Sequence, residues 1–268
     1  MATPDAVYSY RSTRVRRALI GLITASFLLG FGQAHADQTT LAVAANFTGT
    51  MAKLIPVFEQ QTGHRVQASY GSTGKLYAQI RQGAPYDAFM AADAARPSLL
   101  ANKGVAIAHS QFPYAEGRLV LWSRNPDRFR DGLQYLQSQP QRLAIGNPKT
   151  APYGIAAIEV LDHLGLADSL KPKLVSGDSI AQTFQFVATG NAHAGFVAQA
   201  QVRAWKGAEG STWLVPKTLH QPISQHAIML NRGNSNAAAQ AWMAFLNSAK
   251  AQAIIREDGY DIPQQSNH

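Results

Sequence analysis

Tyr70-Gly71-Ser72-Thr73-Gly74-Lys75 joins a strand-like run, Arg65 to Tyr70, to a helix-like run that sets Leu76 and Ile80 on one face. Two small hydroxyl residues stand between two glycines at that junction. Glycine turns the backbone with φ > 0 and leaves no Cβ in the way of a close approach. Several backbone N–H groups then point into one concavity, beside two hydroxyls and at the positive end of a helix dipole. Such a junction holds an anion without Lys or Arg, although Gly-Ser-Thr-Gly alone is also ordinary turn chemistry.

The chain repeats the arrangement. Thr39 to Ala45 reads as a buried strand, and Met51, Leu54, Ile55 and Phe58 mark a helix that Gly63 closes. Asn46 or Thr48 is placed to cap that helix. Val66 to Tyr70 and Asp87 to Ala92 are further strands, with helices up to Gly83 and from Pro97. The pattern breaks at Phe112 to Gly117. A second alternating unit follows. It has strands at Leu119–Trp122, Leu143–Gly146, Lys173–Val175, His193–Ala198 and Trp213–Val215, and helical runs at Asp127–Leu136, after the loop Lys149–Gly154, and after Ser179. Ala227–Leu230 is a strand again, with helices over Asn234–Leu246 and up to Glu257. Strand–helix alternation predicts α/β sheets covered on both faces. The organisation predicted is two lobes, residues 37–115 with 224–268 and residues 116–223, joined by crossings near 112–117 and 218–225.

Of 268 residues, 46% are hydrophobic and 15% charged, which fits a globular chain with a sizeable core. Net charge is +8, of which +3 falls in residues 1–36 (four Arg against Asp5), leaving +5. No Lys/Arg run of the kind that binds nucleic acid is present. Residues 1–36 read as a signal peptide. A basic stretch ends at Arg17, an apolar stretch runs from Ala18 to Gly32, and Ala34-His35-Ala36 sets small residues at a cleavage site after Ala36. The apolar run is shorter than the roughly 20 residues of a membrane span. With no cysteine, neither a disulfide framework, nor a thiol nucleophile, nor a lipid anchor at the leader's end is expected.

Four loops have the same character: Ala45-Asn46-Phe47, Ser72-Thr73-Gly74, Pro152-Tyr153-Gly154 and Asp178-Ser179-Ile180. Each lies between a strand end and a helix start, the edge where open α/β sheets bind ligands. Two come from each unit, so a ligand is gripped from both sides of a cleft. The donors are backbone N–H groups, the Asn46 amide, and the Ser72, Thr73 and Tyr153 hydroxyls. Neutral donors suit a fully ionised oxyanion, which accepts hydrogen bonds and donates none.

Val43-Ala44-Ala45-Asn46-Phe47, Gly71-Ser72-Thr73-Gly74-Lys75-Leu76, Gly83 to Phe89, Ala91-Ala92-Asp93 and Gly146-Asn147-Pro148 together resemble the periplasmic molybdate-binding proteins of ABC importers. The resemblance covers nearly all of the chain after the leader. It implies a two-lobed type II periplasmic binding protein fold, each lobe a mixed or parallel sheet flanked by helices. It implies a periplasmic monomer, with no catalytic role and no cofactor, that captures molybdate or tungstate and delivers it to a membrane permease. Carried across by residue, ligand contacts fall on Asn46, on Thr73 with Ser72 adjacent, and on the backbone of Tyr153 and Ile180. One departure stands out. Many members use a tyrosine hydroxyl from the strand ending here at Val197-Ala198, where this chain has Ala198; Tyr153 is the available substitute.

Other readings of the same residues are weaker. A sulfate, phosphate or ferric-iron binding protein shares the fold, but iron needs converging tyrosines and carboxylates. A periplasmic hydrolase needs a base near Ser72, and no Ser/His/Asp set follows from spacing. Asp87 reads as a partner for loop backbone groups, Asp93 as a helix cap, and Lys75 as the exposed side of its helix. The histidines show no metal-ligand spacing.

Overall fold

The structure, a computed structural model, describes residues 36–263. The leader, but for Ala36, lies outside them. In chain order the elements are β1 (Gln38–Ala44), a 3-10 turn (Ala45–Phe47), α1 (Thr48–Thr62), β2 (Arg65–Gly71), α2 (Thr73–Arg81), β3 (Ala88–Ala91) and α3 (Ala95–Asn102). Then come β4 (Phe112–Gly117), β5 (Leu119–Ser123), α4 (Gly132–Gln137), β6 (Leu143–Gly146), α5 (Pro152–His163), α6 (Ala167–Leu170), β7 (Leu174–Gly177) and α7 (Ile180–Ala188). Last are β8 (Ala194–Ala198), α8 (Gln199–Arg203), β9 (Ser211–Leu214), β10 (Ile223–Met229), α9 (Ala237–Leu246) and α10 (Ala249–Glu257). Among the described residues no helix is long and apolar enough to cross a membrane.

Two five-stranded sheets result, ordered β2-β1-β3-β10-β4 and β7-β6-β8-β5-β9. In each, three parallel strands continue into two antiparallel ones. The near-continuous apolar strands follow from burial on both faces. Alternate residues take opposite sides: Leu41 and Val43 pack with Phe58 and Trp242, while Ala42 and Phe89 pack with Leu76, Ile80 and Leu100. In the second sheet Leu121 and Ile145 meet Val160 and Leu161 of α5, whereas Val120 and Trp122 meet Phe184 and Val187 of α7.

The chain passes from the first sheet to the second at Arg118, between β4 and β5, and returns through β10. These two crossings pair with each other: β10 lies antiparallel to β4, with a bulge where Gln225 opposes Ala115 and His226 opposes Pro113. Tyr114 is the extra residue, so it and Ala115 are both buried. Arg118 and Lys217 bind Asp261 at 2.9 and 2.8 Å, and Lys217 also binds Glu116 at 2.7 Å, tying the ribbon to the C-terminal segment.

Three expectations change. Phe112–Gly117 is a strand, hidden in the sequence because Pro113, the bulge and Gly117 break its alternation. Asp127–Leu136 is helical only over α4; Asp131 caps it by accepting from the N–H groups of Leu133 and Gln134, and Ser211 Oγ holds the Phe129 N–H in the preceding turn. Pro152 to Gly154 is already helix, Pro152 supplying the first-turn φ at no hydrogen-bond cost.

Candidate functional site

Asn46, Ser72, Thr73, Tyr153 and Ile180, far apart in sequence, line one small cleft with Ala45, Ala92 and Pro152. As it stands the cleft has a volume of about 10 Å³, close to the least that admits one water, so its walls lie close together. No charged side chain lines it. Its floor is the ends of β1, β2 and β3, and its far wall is the first turns of α5 and α7.

Helix starts provide the donors. The first N–H groups of a helix have no partner within it, and among the described residues those of Thr73, Tyr153 and Ile180 make no other hydrogen bond. Ser72 occupies the N-cap position of α2, yet its hydroxyl caps nothing. It is buried without a partner. A buried unpaired hydroxyl costs about 1–3 kcal/mol, a cost that a polar guest relieves. Thr73 Oγ1 accepts from the Ala92 N–H at 3.0 Å, which leaves its proton free and aims it. By contrast Ser179, at the start of α7, does cap its helix, accepting from Gln182 N–H, so only the Ile180 main chain is offered there.

The two sheets meet across the cleft. Gly74 N–H donates to Thr150 O at 2.8 Å, and a Cβ on Gly74 would stand 2.9 Å from Thr150 Cα. Lys75 Nζ meets Asp178 Oδ2 at 2.7 Å, so Lys75 does more than cover an exposed helix side: it bridges to the opposite wall. Arg96, ion-paired with Asp93, donates to Lys149 O at 3.2 Å. Ala94, not Asp93, is the N-cap of α3, but Asp93 accepts from the Arg96 N–H in its first turn at 2.9 Å. Asp87 binds Thr40 N–H at 2.7 Å and Arg232 at 3.1 Å, a structural role.

Asn46 differs from expectation. It does not cap α1; its Nδ2 donates to Gln225 Oε1 at 2.8 Å and to Tyr260 Oη at 3.1 Å, and Tyr260 donates to Asn46 O at 2.9 Å. Tyr114 Oη donates to the same Gln225 Oε1 at 3.2 Å. A buried polar network thus underlies the cleft. The network was not legible in the sequence, though one signal existed: Gln225 shares the buried side of β10 with Ile223 and Ala227, a polar residue at an apolar register position. The Tyr153 hydroxyl, buried and unpaired, stands beside Gly117 and Gln225, where a Cβ on Gly117 would overlap it. Ala198 ends β8 fully buried and outside the cleft lining. Burial, reinforced by Tyr260 and Tyr114, raises the Tyr153 phenol well above its ordinary pKa; burial likewise raises Tyr114 and Tyr260. All three stay neutral donors. Among the described residues no three His, Asp or Glu side chains gather as a metal site.

Residues 39–261 match the family described as Bacterial extracellular solute-binding protein. The chain is 47% identical over 227 residues to the Molybdate-binding protein ModA of Rhodobacter capsulatus, covering 85% of this chain and 89% of that one. It is 48% identical over 231 residues to the ModA of Azotobacter vinelandii, covering 85% and 92%. Its structure is similar to that of the Azotobacter vinelandii periplasmic molybdate-binding protein, with a TM-score of 0.80 and 40% identity over 84% of this chain and 100% of the other.

Proposed function

This chain belongs to the bacterial extracellular solute-binding protein family, and from that premise we propose that it captures molybdate and hands it to the permease of an ABC importer. It is a binding protein and not an enzyme. The observation that carries this reading is the set of unpaired neutral donors, Ser72 Oγ and the main-chain N–H groups of Thr73, Tyr153 and Ile180, converging on a cleft without a charged wall. A dianion placed there gains hydrogen bonds from helix starts of both sheets, and hinge closure about the β4–β10 ribbon removes its water.

The ligand set we assign is Asn46, Ser72, Thr73, Tyr153 and Ile180. The sequence-based bounds, 37–115 with 224–268 against 116–223, shift so that β4 and β10 stay whole in the first sheet: lobe I takes residues 37–117 and 223–263, and lobe II residues 118–222. Tungstate, of the same charge and shape, is taken as a second cargo. Sulfate carries the same charge on shorter bonds and is rejected by size. Ferric iron lacks the converging acids it needs. The chain works as a monomer in the periplasm without a resident cofactor, after cleavage behind Ala36.

Thermal unfolding with molybdate, tungstate, sulfate and phosphate tests this. At one hundred times Kd, a ligand specific to the native state adds about 2.7 kcal/mol, which in a domain of this size raises Tm by roughly 5–10 °C. Molybdate and tungstate should give that shift and sulfate should not. An equal shift with sulfate, or none with molybdate, would remove the assignment.

A further inference from the structure

The buried network beneath the cleft is left with two loose ends that point to one answer. Gln225 Nε2 has no hydrogen-bond partner, although the side chain is fully buried. Its Oε1 takes one proton from Asn46 and one from Tyr114. Asn46 Nδ2 in turn spends both of its protons on Gln225 and Tyr260, which leaves the cleft-lining Asn46 with its Oδ1 turned away from them and unbonded. A carbonyl oxygen is the wrong group to show a dianion. A primary amide carries donor and acceptor on two sides of similar shape, and a half-turn of its last, soft torsion exchanges them without moving the backbone.

We propose that Gln225 is a positioning residue for anion capture: when the anion enters, the Asn46 and Gln225 amides turn together, so that Gln225 Nε2 donates to Asn46 Oδ1 and Asn46 Nδ2 becomes a donor to the anion. Every contact then has consistent polarity except one: Tyr260 has a single proton for two acceptors, Asn46 O and Asn46 Oδ1. Gln225 Nε2 serves Asn46 Oδ1 and Tyr114 Oη, and Tyr114 still has Ala91 O to donate to. Tyr260 Oη keeps its donation to Asn46 O. Gln225 Oε1 comes to the side of Gly117 where the Tyr153 hydroxyl stands unpaired. Two orphaned groups acquire complementary neighbours, and the cleft acquires one more donor. Because Gln225 sits at the bulge of β10 against β4, the amide that orients Asn46 belongs to the ribbon on which the lobes turn. This inference rests on the reading of the cleft as the oxyanion site.

Gln225→Glu is the direct test, read by calorimetry with sodium molybdate between pH 8.5 and pH 6. An ionised carboxylate only accepts, so it holds Asn46 Nδ2 away from the cleft; a protonated one donates and restores the orientation. The other titratable groups facing this position, Tyr114, Tyr153 and Tyr260, are buried phenols, and His226 on the same strand is engaged by Ser224 and Gln111. At pH 8.5 the variant should bind molybdate about 10- to 100-fold more weakly than the wild type, the worth of a hydrogen bond to a charged group, and should recover toward it as the pH falls. In an Asn46→Ala background the same change should add little, because Gln225 acts through Asn46. Wild-type affinity at every pH, or full additivity with Asn46→Ala, would overturn the assignment while leaving the oxyanion site standing. A wild type that binds no molybdate would overturn both. Should the variant not fold, the side-chain NH₂ resonances of Asn46 and Gln225 in the wild-type chain decide: both pairs should shift together as molybdate is added, and an unmoved Gln225 pair would refute the coupling.

Discussion

Inside the cleft Ser72, Thr73, Tyr153 and Ile180 offer hydroxyls and N–H groups without a formal charge; one helical turn further out Lys75 faces Asp178 and Arg96 faces Asp93. The walls are buried, and each donor is fixed by a helix start or a bond such as Thr73 to Ala92. On the rim the Lys75–Asp178 pair is solvated and the Arg96–Asp93 pair mostly buried, and both cations are already paired with carboxylates. Fixed dipoles recognise a tetrahedral shell of oxygens by direction and distance. Solvated charges recognise only its sign, and salt screens them. On the proposed reading, affinity and selectivity belong to the walls, and the rim only assists closure.

Thr73→Val tests that division most severely. It removes a hydroxyl proton from the anion and strands the Ala92 N–H, so molybdate Kd should rise roughly 10- to 150-fold, as expected for a lost bond to a charged group at about 1.5–3 kcal/mol. Gly74→Ala comes next, because its Cβ meets the Thr150 backbone and that backbone cannot yield. Overpacking of about 1–3 kcal/mol, placed where the two walls meet, should weaken binding by about ten- to a hundredfold. Lys75→Ala should cost at most about 1 kcal/mol, the ceiling for an exposed ion pair, and the difference should vanish in about 1 M salt. If it matched Thr73→Val by calorimetry, the rim and not the walls would hold the anion. Ile180→Val should change Kd least, within about twofold, since only the main chain of Ile180 is offered; its cost is the roughly 0.5–1.5 kcal/mol of stability typical of that truncation.

The walls also fix a pH dependence. Tyr114, Tyr153 and Tyr260 bind their protons more tightly folded than unfolded, where the phenol titrates near 10. Their contribution to stability is complete below pH 10 and is lost as the pH rises above it. Tm should hold between pH 7 and 9 and fall above 10. A Tm that is flat to pH 11 would mean the phenols are not buried.

Apolar runs, glycine stops and small-residue junctions settled the alternating units, most element boundaries and the four helix starts, because periodicity and capping are local properties of a chain. The loops carrying Ser72, Thr73, Tyr153 and Ile180 were legible as helix starts for the same reason, while the choice of the Tyr153 and Ile180 main chains came from the family resemblance. Phe112–Gly117 was not, since a bulge suspends the alternation by which a strand is recognised. Nor was the partner of Asn46: Gln225 lies 179 residues away, and only the pairing of β10 with β4 brings it under the cleft. Lys75 looked like a solvated face until the opposite wall supplied Asp178. Sequence alone determined which groups are able to donate. The tertiary structure decided which of them are free to do so, because a hydrogen bond spent on a distant partner leaves no trace in the neighbouring residues.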